Sequence, residues 1–182
     1  MTLDELALRF GTDKSSAGHG YCEHYEHHLG AFRHERGYLR LLEIGVQTGA
    51  SLLMWEAFLP NAQIVGVDID PPPFADRERV QIVQCDIKAY DPTVVFDVIV
   101  DDGSHMASDV TAAHHRLWPW LLPGGWYVIE DLAAQWMPFY HGGPNGSEAI
   151  SWIEKVLRDV MLNRSEVSEA HLYGEILFLR KA

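Results

Sequence analysis

The chain has 182 residues, a length typical of one domain, and its 47% hydrophobic and 22% charged residues exclude a disordered or fibrous protein. Lys and Arg total 14 against 26 Asp and Glu, which leaves a formal charge of −12. Because so acidic a surface repels phosphate backbones and anionic lipid, we expect neither a nucleic-acid nor a membrane partner, whereas a cationic ligand or a divalent metal suits this charge.

The first forty residues are rich in His, Glu and aromatic side chains and lack a sustained apolar period, which predicts helical segments beside a core. They contain no apolar signal region, and no apolar run in the chain approaches the roughly 20 residues that cross a bilayer. Cys22 and Cys85 lie far apart in sequence and indicate free thiols. We therefore expect a cytoplasmic protein.

From about residue 41 onward, short β-branched runs alternate with helical patterns. The predicted strands are residues 41–46, 64–68, 80–85, 94–101 and 126–130, the last after a Pro-Gly-Gly turn, and the predicted helices are 50–59, 106–121 and 147–163. A hairpin is predicted for residues 169–173 and 175–179, around Gly174. This alternation predicts an α/β fold with a doubly wound, mostly parallel sheet. We expect a single domain, 1–182, with an N-terminal helical or lid segment (1–40) and an α/β core (41–182).

Two connections are too short and too rich in Pro and Asp for crossover helices, residues 69–79 and 86–93. One face of the sheet would then be thinly covered, and a second copy of the chain is a candidate to cover it. A homodimer is therefore a hypothesis at this stage.

Glycines and acids follow the first three strands, where ligands of open α/β sheets bind. The first strand leads into Glu43-Ile-Gly45-Val-Gln-Thr-Gly49. The Gly-x-x-x-Gly spacing differs from the Gly-x-Gly-x-x-Gly of dinucleotide sites and disfavours nicotinamide chemistry. Asp68, 19 residues after Gly49, is well placed for a ribose, and Asp86 for an adenine. The glycines alone are also compatible with a purely structural turn.

This combination resembles the class I S-adenosylmethionine-dependent methyltransferases, from about residue 41 to the C-terminus. The resemblance implies a Rossmann-like fold in which the C-terminal hairpin adds an antiparallel strand to the sheet. It also implies that S-adenosyl-L-methionine is bound by Glu43, Gly45, Gly49, Asp68 and Asp86. Glu43 and Gly45 would lie near the methionine part, Asp68 at the ribose and Asp86 near the adenine.

A second group of acids follows strands four and five, as Asp101-Asp102-Gly-Ser-His105 and Glu130-Asp131. Neighbouring strand ends converge on one cleft, where crowded carboxylates raise one another's pKa unless a cation intervenes. Hard oxygen ligands completed by water are typical of Mg²⁺. We expect Asp101 to be structural and Asp102 to be a ligand.

A plain turn is the alternative, with Asp-Gly as the turn and Ser104 as the cap of the following helix. It is disfavoured because a turn has no need of the acids at the end of the next strand.

The order Asp102-Gly-Ser-His105, then Glu130-Asp131 28 positions after Asp102, with Gly11-Thr-Asp-Lys14 near the N-terminus, carries a narrower resemblance. It resembles the Mg²⁺-dependent sugar O-methyltransferases of the mycinamicin VI 2''-O-methyltransferase and demethylmacrocin O-methyltransferase type, and is similar to methylmannose polysaccharide 1-O-methyltransferase. The resemblance implies Mg²⁺ ligation by Asp102, Glu130 and Asp131, with His105 as general base and a sugar or glycoside as acceptor. The Gly-Thr-Asp-Lys segment would be a lid near the cofactor or a plain turn.

The chemistry fits these residue types, since a sugar hydroxyl is too weak an acid to ionise at pH 7 without a metal and a base. Two other functions stay open. A catechol-type O-methyltransferase needs the same acids but a flat apolar acceptor site. A non-catalytic adenosyl-binding module has no use for His105 beside the acids.

Overall fold

The computed structural model describes residues 1–34, 37–75, 77–140 and 148–182, without the side chains of residues 138 and 148–150. The chain divides into two compact units, residues 1–85 and 86–182. The expectation that they form one domain stays a prediction. Among the described residues, no helix is both long and apolar enough to span a membrane.

The first unit contains three parallel strands and three helices. Its elements are α1 (Leu3–Phe10), α2 (Cys22–Leu29), β1 (Leu39–Ile44), α3 (Ala50–Phe58), β2 (Ala62–Asp68) and β3 (Val80–Gln84). Strand β2 pairs in parallel with β1 on one side and with β3 on the other. All three predicted strands are present, although β1 begins two residues earlier than expected.

Burial of apolar side chains explains why the elements of the first unit pack together. Five of the six residues of β1 are buried, as expected for a strand covered on both faces. Helix α3 contributes Trp55 and Phe58, both fully buried, and contacts α1. Helix α1 begins with a capping box between Thr2 and Glu5. The N-terminal segment is thus helical, as predicted.

The second unit is a mixed sheet with two helices. Its elements are β4 (Phe96–Asp101), α4 (Ala107–Leu117), β5 (Leu121–Ile129), α5 (Glu148–Met161), β6 (Val167–Tyr173) and β7 (Ile176–Lys181). Strands β4 and β5 are parallel, β7 is antiparallel to β5, and β6 is antiparallel to β7. The predicted C-terminal hairpin is therefore present, with Gly174 at a φ of 58° in its turn.

Two of the boundaries that differ from the prediction lie at proline. Strand β5 begins at Leu121 and runs through the Pro-Gly-Gly segment that we predicted as a turn. The register shifts where Phe96 pairs with Leu121 but Val98 pairs with Trp126, so the extra residues form a bulge in the strand. Helix α4 ends at Leu117 rather than 121, because Pro119 has no N–H to continue it and a 3-10 turn follows.

The start predicted for the last helix, residue 147, lies outside the described residues. The described parts of residues 69–79 and 86–93 contain no helix, as expected. The homodimer inferred from these connections stays a prediction.

Candidate functional site

The glycine-rich turn between β1 and α3 has the backbone conformation that its sequence implies. Gly45 and Gly49 have φ values of 87° and 79°, in the left-handed region that favours glycine. The Gly49 N–H donates to the Val46 carbonyl at 2.7 Å, and the Gly45 N–H donates to the Val67 carbonyl at 2.9 Å. The two glycines therefore hold the turn against the end of β2.

Asp68, at the end of β2, is the acid that binds this turn. Its Oδ2 accepts from the N–H groups of Val46 at 2.7 Å and Gln47 at 3.3 Å, and its Oδ1 accepts from Asp70 N–H at 2.8 Å. Burial by itself raises the pKa of Asp68, but these backbone donors outweigh it and lower the pKa below the usual value. The carboxylate stays ionised and has lone pairs left for a ribose hydroxyl.

Replacing Gly49 by Ala should destabilise the protein more than replacing Gly124, although their φ values are nearly equal at +79° and +78°. A Cβ at Gly49 would lie 2.5 Å from Cε2 of Phe74, whereas nothing lies within 4 Å at Gly124. We expect Gly124→Ala to cost about 1–2 kcal/mol for the left-handed backbone alone. Urea unfolding would measure both losses. In a Phe74→Ala background the excess cost of Gly49→Ala should disappear, and its persistence would contradict the steric explanation.

Glu43, at the end of β1, is fully buried and holds three elements of the first unit together. Its Oε2 accepts from Ser51 Oγ at 2.7 Å and its Oε1 from Trp55 Nε1 at 3.2 Å, both from α3. The Lys14 ammonium lies 3.6 Å from Oε1, and the Lys14 side chain is only 1% exposed. The glycine-rich turn is thus anchored on both flanks by one carboxylate. Its predicted place near the methionine part of the cofactor stays a prediction.

The sequence predicts no structural partner for Lys14, because the Gly-Thr-Asp-Lys motif indicates only a lid or a plain turn. In the structure, the Lys14 carbonyl also accepts from Cys22 N–H at 3.1 Å, so this turn is anchored at its lysine. A lid role for the segment stays a prediction.

Asp86, the first residue of the second unit, lies two positions after β3 and is exposed. Its Oδ1 accepts from Lys88 N–H at 2.8 Å, which closes a local turn. Its predicted role near an adenine stays a prediction.

Three of the predicted site residues of the second unit come together at the ends of β4 and β5. Asp102, His105 and Asp131 each place one potential ligand atom within 4.8 Å of the others. All three are half-buried, so a small ion and its waters could reach them. Two carboxylates and an imidazole fit a divalent metal site or an acid–base site.

Glu130 is buried and is not part of this three-residue group. Its N–H donates to the Asp101 carbonyl at 3.0 Å, which extends the pairing of β4 and β5 beyond their last ladder residues. Its predicted role as a metal ligand stays a prediction.

Asp101 and its neighbour Asp102 have different surroundings, as expected. Asp101 is buried, and its Oδ2 accepts from Tyr127 Oη at 3.3 Å. Burial raises its pKa to about 7, although Tyr127 and the Gly103 N–H partly offset this. Asp101 is therefore bonded inside the unit, while Asp102 is the member of the pair that belongs to the group with His105.

Ser104 does not cap helix α4, so that part of the plain-turn alternative is wrong. The N-cap position is Met106, which has no side-chain cap, and Ser104 Oγ instead donates to Asp109 Oδ2 at 2.7 Å. Lys88 Nζ lies 2.9 Å from the other oxygen of Asp109. The loop is thus held through the first turn of the helix.

His105 and Asp131 share an unusual backbone conformation. Their φ values are 56° and 54°, in the left-handed region that costs non-glycine residues about 1–2 kcal/mol each. His105 Nε2 lies 3.5 Å from Asp131 Oδ2, and the Tyr140 ring meets the imidazole edge-on at 6.1 Å between centroids. Strained residues held in contact are typical of functional sites.

Residues 42–132, half of the chain, match the family described as a methyltransferase domain. The chain belongs to this methyltransferase family. It is 34% identical over 163 residues to the mycinamicin VI 2''-O-methyltransferase of Micromonospora griseorubida, covering 80% of this chain and 40% of that protein. It is 35% identical over 157 residues to the demethylmacrocin O-methyltransferase of Streptomyces fradiae, covering 77% of this chain and 38% of that protein.

A similar solved structure is that of the MycE methyltransferase in complex with Mg, SAH and mycinamycin VI. It has a TM-score of 0.88 and 30% identity, and the match covers 100% of this chain and 54% of that one. The predicted Rossmann-like α/β fold and the resemblance to the mycinamicin and demethylmacrocin enzymes are therefore confirmed. This methyltransferase chain spans about two fifths of the length of the two curated relatives.

Proposed function

We propose that this methyltransferase chain uses S-adenosyl-L-methionine and Mg²⁺ to methylate a sugar hydroxyl of a glycoside or oligosaccharide. The observation that carries the proposal is the group formed by Asp102, His105 and Asp131 at the ends of two parallel strands. The similar proteins support it, since their names describe sugar O-methyltransferases and one is solved with Mg and SAH.

The donor set fits Mg²⁺. Asp102 and Asp131 contribute hard carboxylate oxygens within 4.8 Å of each other, and both are open enough for water to complete the coordination shell. We propose Asp102, Glu130 and Asp131 as the ligands.

The first unit fits the adenosyl cofactor. Gly45 carries no side chain, so a ligand can approach the backbone of the turn there, and Asp68 stays ionised at the strand end beside it. We propose that the methionine part lies near Glu43 and Gly45. Asp68 would then take the ribose hydroxyls.

When bound, Mg²⁺ polarises and orients the acceptor hydroxyl and the sulfonium supplies the methyl group. His105 accepts the hydroxyl proton at its imidazole as the oxygen attacks the methyl carbon. Methyl transfer would form the C–O bond and break the C–S bond of the sulfonium, with a neutral thioether as the second product. General-base help of this kind contributes about 10²–10⁴-fold. Asp131, 3.5 Å from Nε2, stabilises the imidazolium that forms.

A sugar or glycoside is the acceptor class we propose. The chain's charge of −12 disfavours an acceptor that carries phosphates. Trp136 and Phe139 follow Glu130 and Asp131 in the sequence and are 58% and 78% exposed, so either ring can stack on the apolar face of a sugar.

Calorimetric titration with S-adenosylhomocysteine, followed by Mg²⁺, tests the proposal directly. We expect the wild type to bind both, and Asp102→Ala to bind the nucleoside but to lose the Mg²⁺ response. Glu154→Ala, which removes an exposed acid of α5, should behave as the wild type does. His105→Ala should bind both ligands and lose 10²–10⁴-fold in turnover of a sugar acceptor.

Each other outcome points to a different function. Absence of S-adenosylhomocysteine binding would overturn the proposal. Binding of both ligands with turnover of a catechol but of no sugar in an acceptor panel would favour the catechol-type enzyme. Nucleoside binding without any Mg²⁺ response or turnover would favour the adenosyl-binding module. Near-normal turnover by His105→Ala would remove only the base assignment.

A further inference from the structure

Gln135 is the buried polar side chain nearest in sequence to Glu130 and Asp131, the two proposed metal ligands that follow β5. It is 1% exposed and lies in the 3-10 turn Leu132–Trp136, where Leu132 and Ala134 are also buried. Its Nε2 donates to the backbone carbonyl oxygen of His105. Because a carbonyl oxygen can only accept, the amide nitrogen must be the atom that faces it.

This hydrogen bond joins two loops that each carry a strained residue. His105, in the loop after β4, has a φ of 56°, and Asp131, which begins the 3-10 turn, has a φ of 54°. Left-handed residues persist only where the surrounding structure holds them. Gln135 lies four residues after Asp131 and is bonded to the residue that carries the imidazole.

Other contacts hold the strand ends, and Ser104 ties the His105 loop to helix α4. The Glu130 N–H holds the end of β5 to the end of β4, and the Leu132 N–H donates to the Glu175 carbonyl at 2.9 Å. Both of these hydrogen bonds are donated by residues that directly follow β5, and neither reaches the backbone of His105. The Gln135 side chain reaches from the turn after β5 to the backbone carbonyl of His105, three residues beyond Asp102.

We infer that Gln135 is a positioning residue, which sets the place of His105 relative to Asp131 and so prepares the site for its cation. The inference rests on the proposed function, because it concerns the same Mg²⁺ site. Burying an amide among apolar neighbours is costly unless the amide makes a specific bond. Hydrogen-bond partners that orient metal ligands typically change metal affinity by 10–100-fold when they are removed, and Gln135 joins the loop of the ligand Asp102 to the turn that begins at the ligand Asp131.

The test uses the complete chain and Mg²⁺ alone as the probe. Gln135→Met keeps the length of the side chain and removes the donor, and Gln135→Glu keeps its shape but turns the donor into an acceptor. We expect both variants to bind Mg²⁺ 10–100-fold more weakly than the wild type by calorimetry. Amide hydrogen exchange of the metal-free protein should also rise at residues 103–106.

Leu117→Ala is the matched control for a loss of packing alone. Leu117 is fully buried at the far end of α4, so its truncation should lower Tm while leaving Mg²⁺ affinity and exchange at residues 103–106 unchanged. Wild-type Mg²⁺ affinity in both Gln135 variants, or equal loss in Leu117→Ala, would overturn the inference alone. Absence of Mg²⁺ binding by the wild type would instead overturn the metal site of the proposed function, and this inference with it.

Discussion

Replacing Lys14 by Met should lower the free energy of unfolding by about 3–5 kcal/mol, because it removes one partner of a buried ion pair. The Lys14 and Glu43 side chains are 1% and 0% exposed, so little water can reach Glu43 once the ammonium is absent. Ser51 and Trp55 still donate to the carboxylate, but neither carries a compensating charge. Urea unfolding at neutral pH measures the loss.

Two further variants distinguish the buried pair from ordinary ion pairing. Lys14→Met combined with Glu43→Gln leaves neither charge of this pair in the core, so the double variant should be more stable than the sum of the single losses implies. Lys155→Met is the control, since Lys155 Nζ lies 2.7 Å from Asp159 Oδ2 on the outside of α5, where ion pairs contribute little. Similar losses in Lys14→Met and Lys155→Met would contradict the importance of burial.

The pair also has a consequence for the cofactor site. Glu43 precedes the glycine-rich turn and is bonded to α3 after it, so loss of Lys14 loosens both flanks of the turn. We expect the Lys14→Met variant that remains folded to bind S-adenosylhomocysteine more weakly than the wild type.

Acidification from pH 7.5 to pH 5 should destabilise the wild type by about 2 kcal/mol more than it destabilises His114→Phe. His114, in α4, is 7% exposed and packs among aromatic rings, with centroids 4.3 Å from Trp152, 4.8 Å from Trp118 and 5.0 Å from Tyr127. Among the described residues, neither ring nitrogen has a hydrogen-bond partner. Burial, with a smaller contribution from the nearby His115, lowers the pKa of His114 from 6.5 to about 3.

The direction of this pH effect follows from the pH at which the folded and the unfolded state each protonate His114. The unfolded chain protonates His114 as the pH falls through 6.5, whereas the folded protein does so only near pH 3. Between these values the unfolded state binds more protons, so stability is fully present above pH 6.5 and is lost progressively as the pH falls towards 3. Phe fills a similar volume and does not titrate.

Urea unfolding at several pH values gives the slope of the free energy of unfolding against pH for the wild type and for His114→Phe. The exposed neighbour His115 provides the control, because His115→Gln removes only the smaller contribution and should keep most of the wild-type dependence on pH. Equal slopes for the wild type and His114→Phe would show that the folded protein protonates His114 as easily as the unfolded chain.

Much of the fold was predictable from local pattern. The strands β1 to β4 and the closing hairpin stand close to their predicted positions, because short β-branched runs bounded by turn residues have few other ways to be buried. The start of β5 was mispredicted, because Pro-Gly-Gly is a turn signal in isolation. Pairing with β4 turned it into a bulge instead, with Gly124 at a φ of +78°.

For the candidate site, the types of residue and the strands that they follow were predictable from the sequence. Asp102, His105 and Asp131 meet as the sequence implied, since the carboxyl ends of adjacent parallel strands lie at one edge. Glu43 was assigned a cofactor role without the partners that it has in the structure, Lys14 among them. The burial of His114 among aromatic rings is likewise a property of the packed chain.

The sequence by itself determined the α/β alternation, the glycine-rich turn and the acids that follow the strands, because each of these depends on neighbours a few residues apart. Only the tertiary structure decided that Lys14 would neutralise Glu43 and that Gln135 would hold the carbonyl of His105. Those contacts join residues that are 29 and 30 positions apart. A buried polar group must find its partner wherever the packed chain brings one within reach, and no local pattern records that distance.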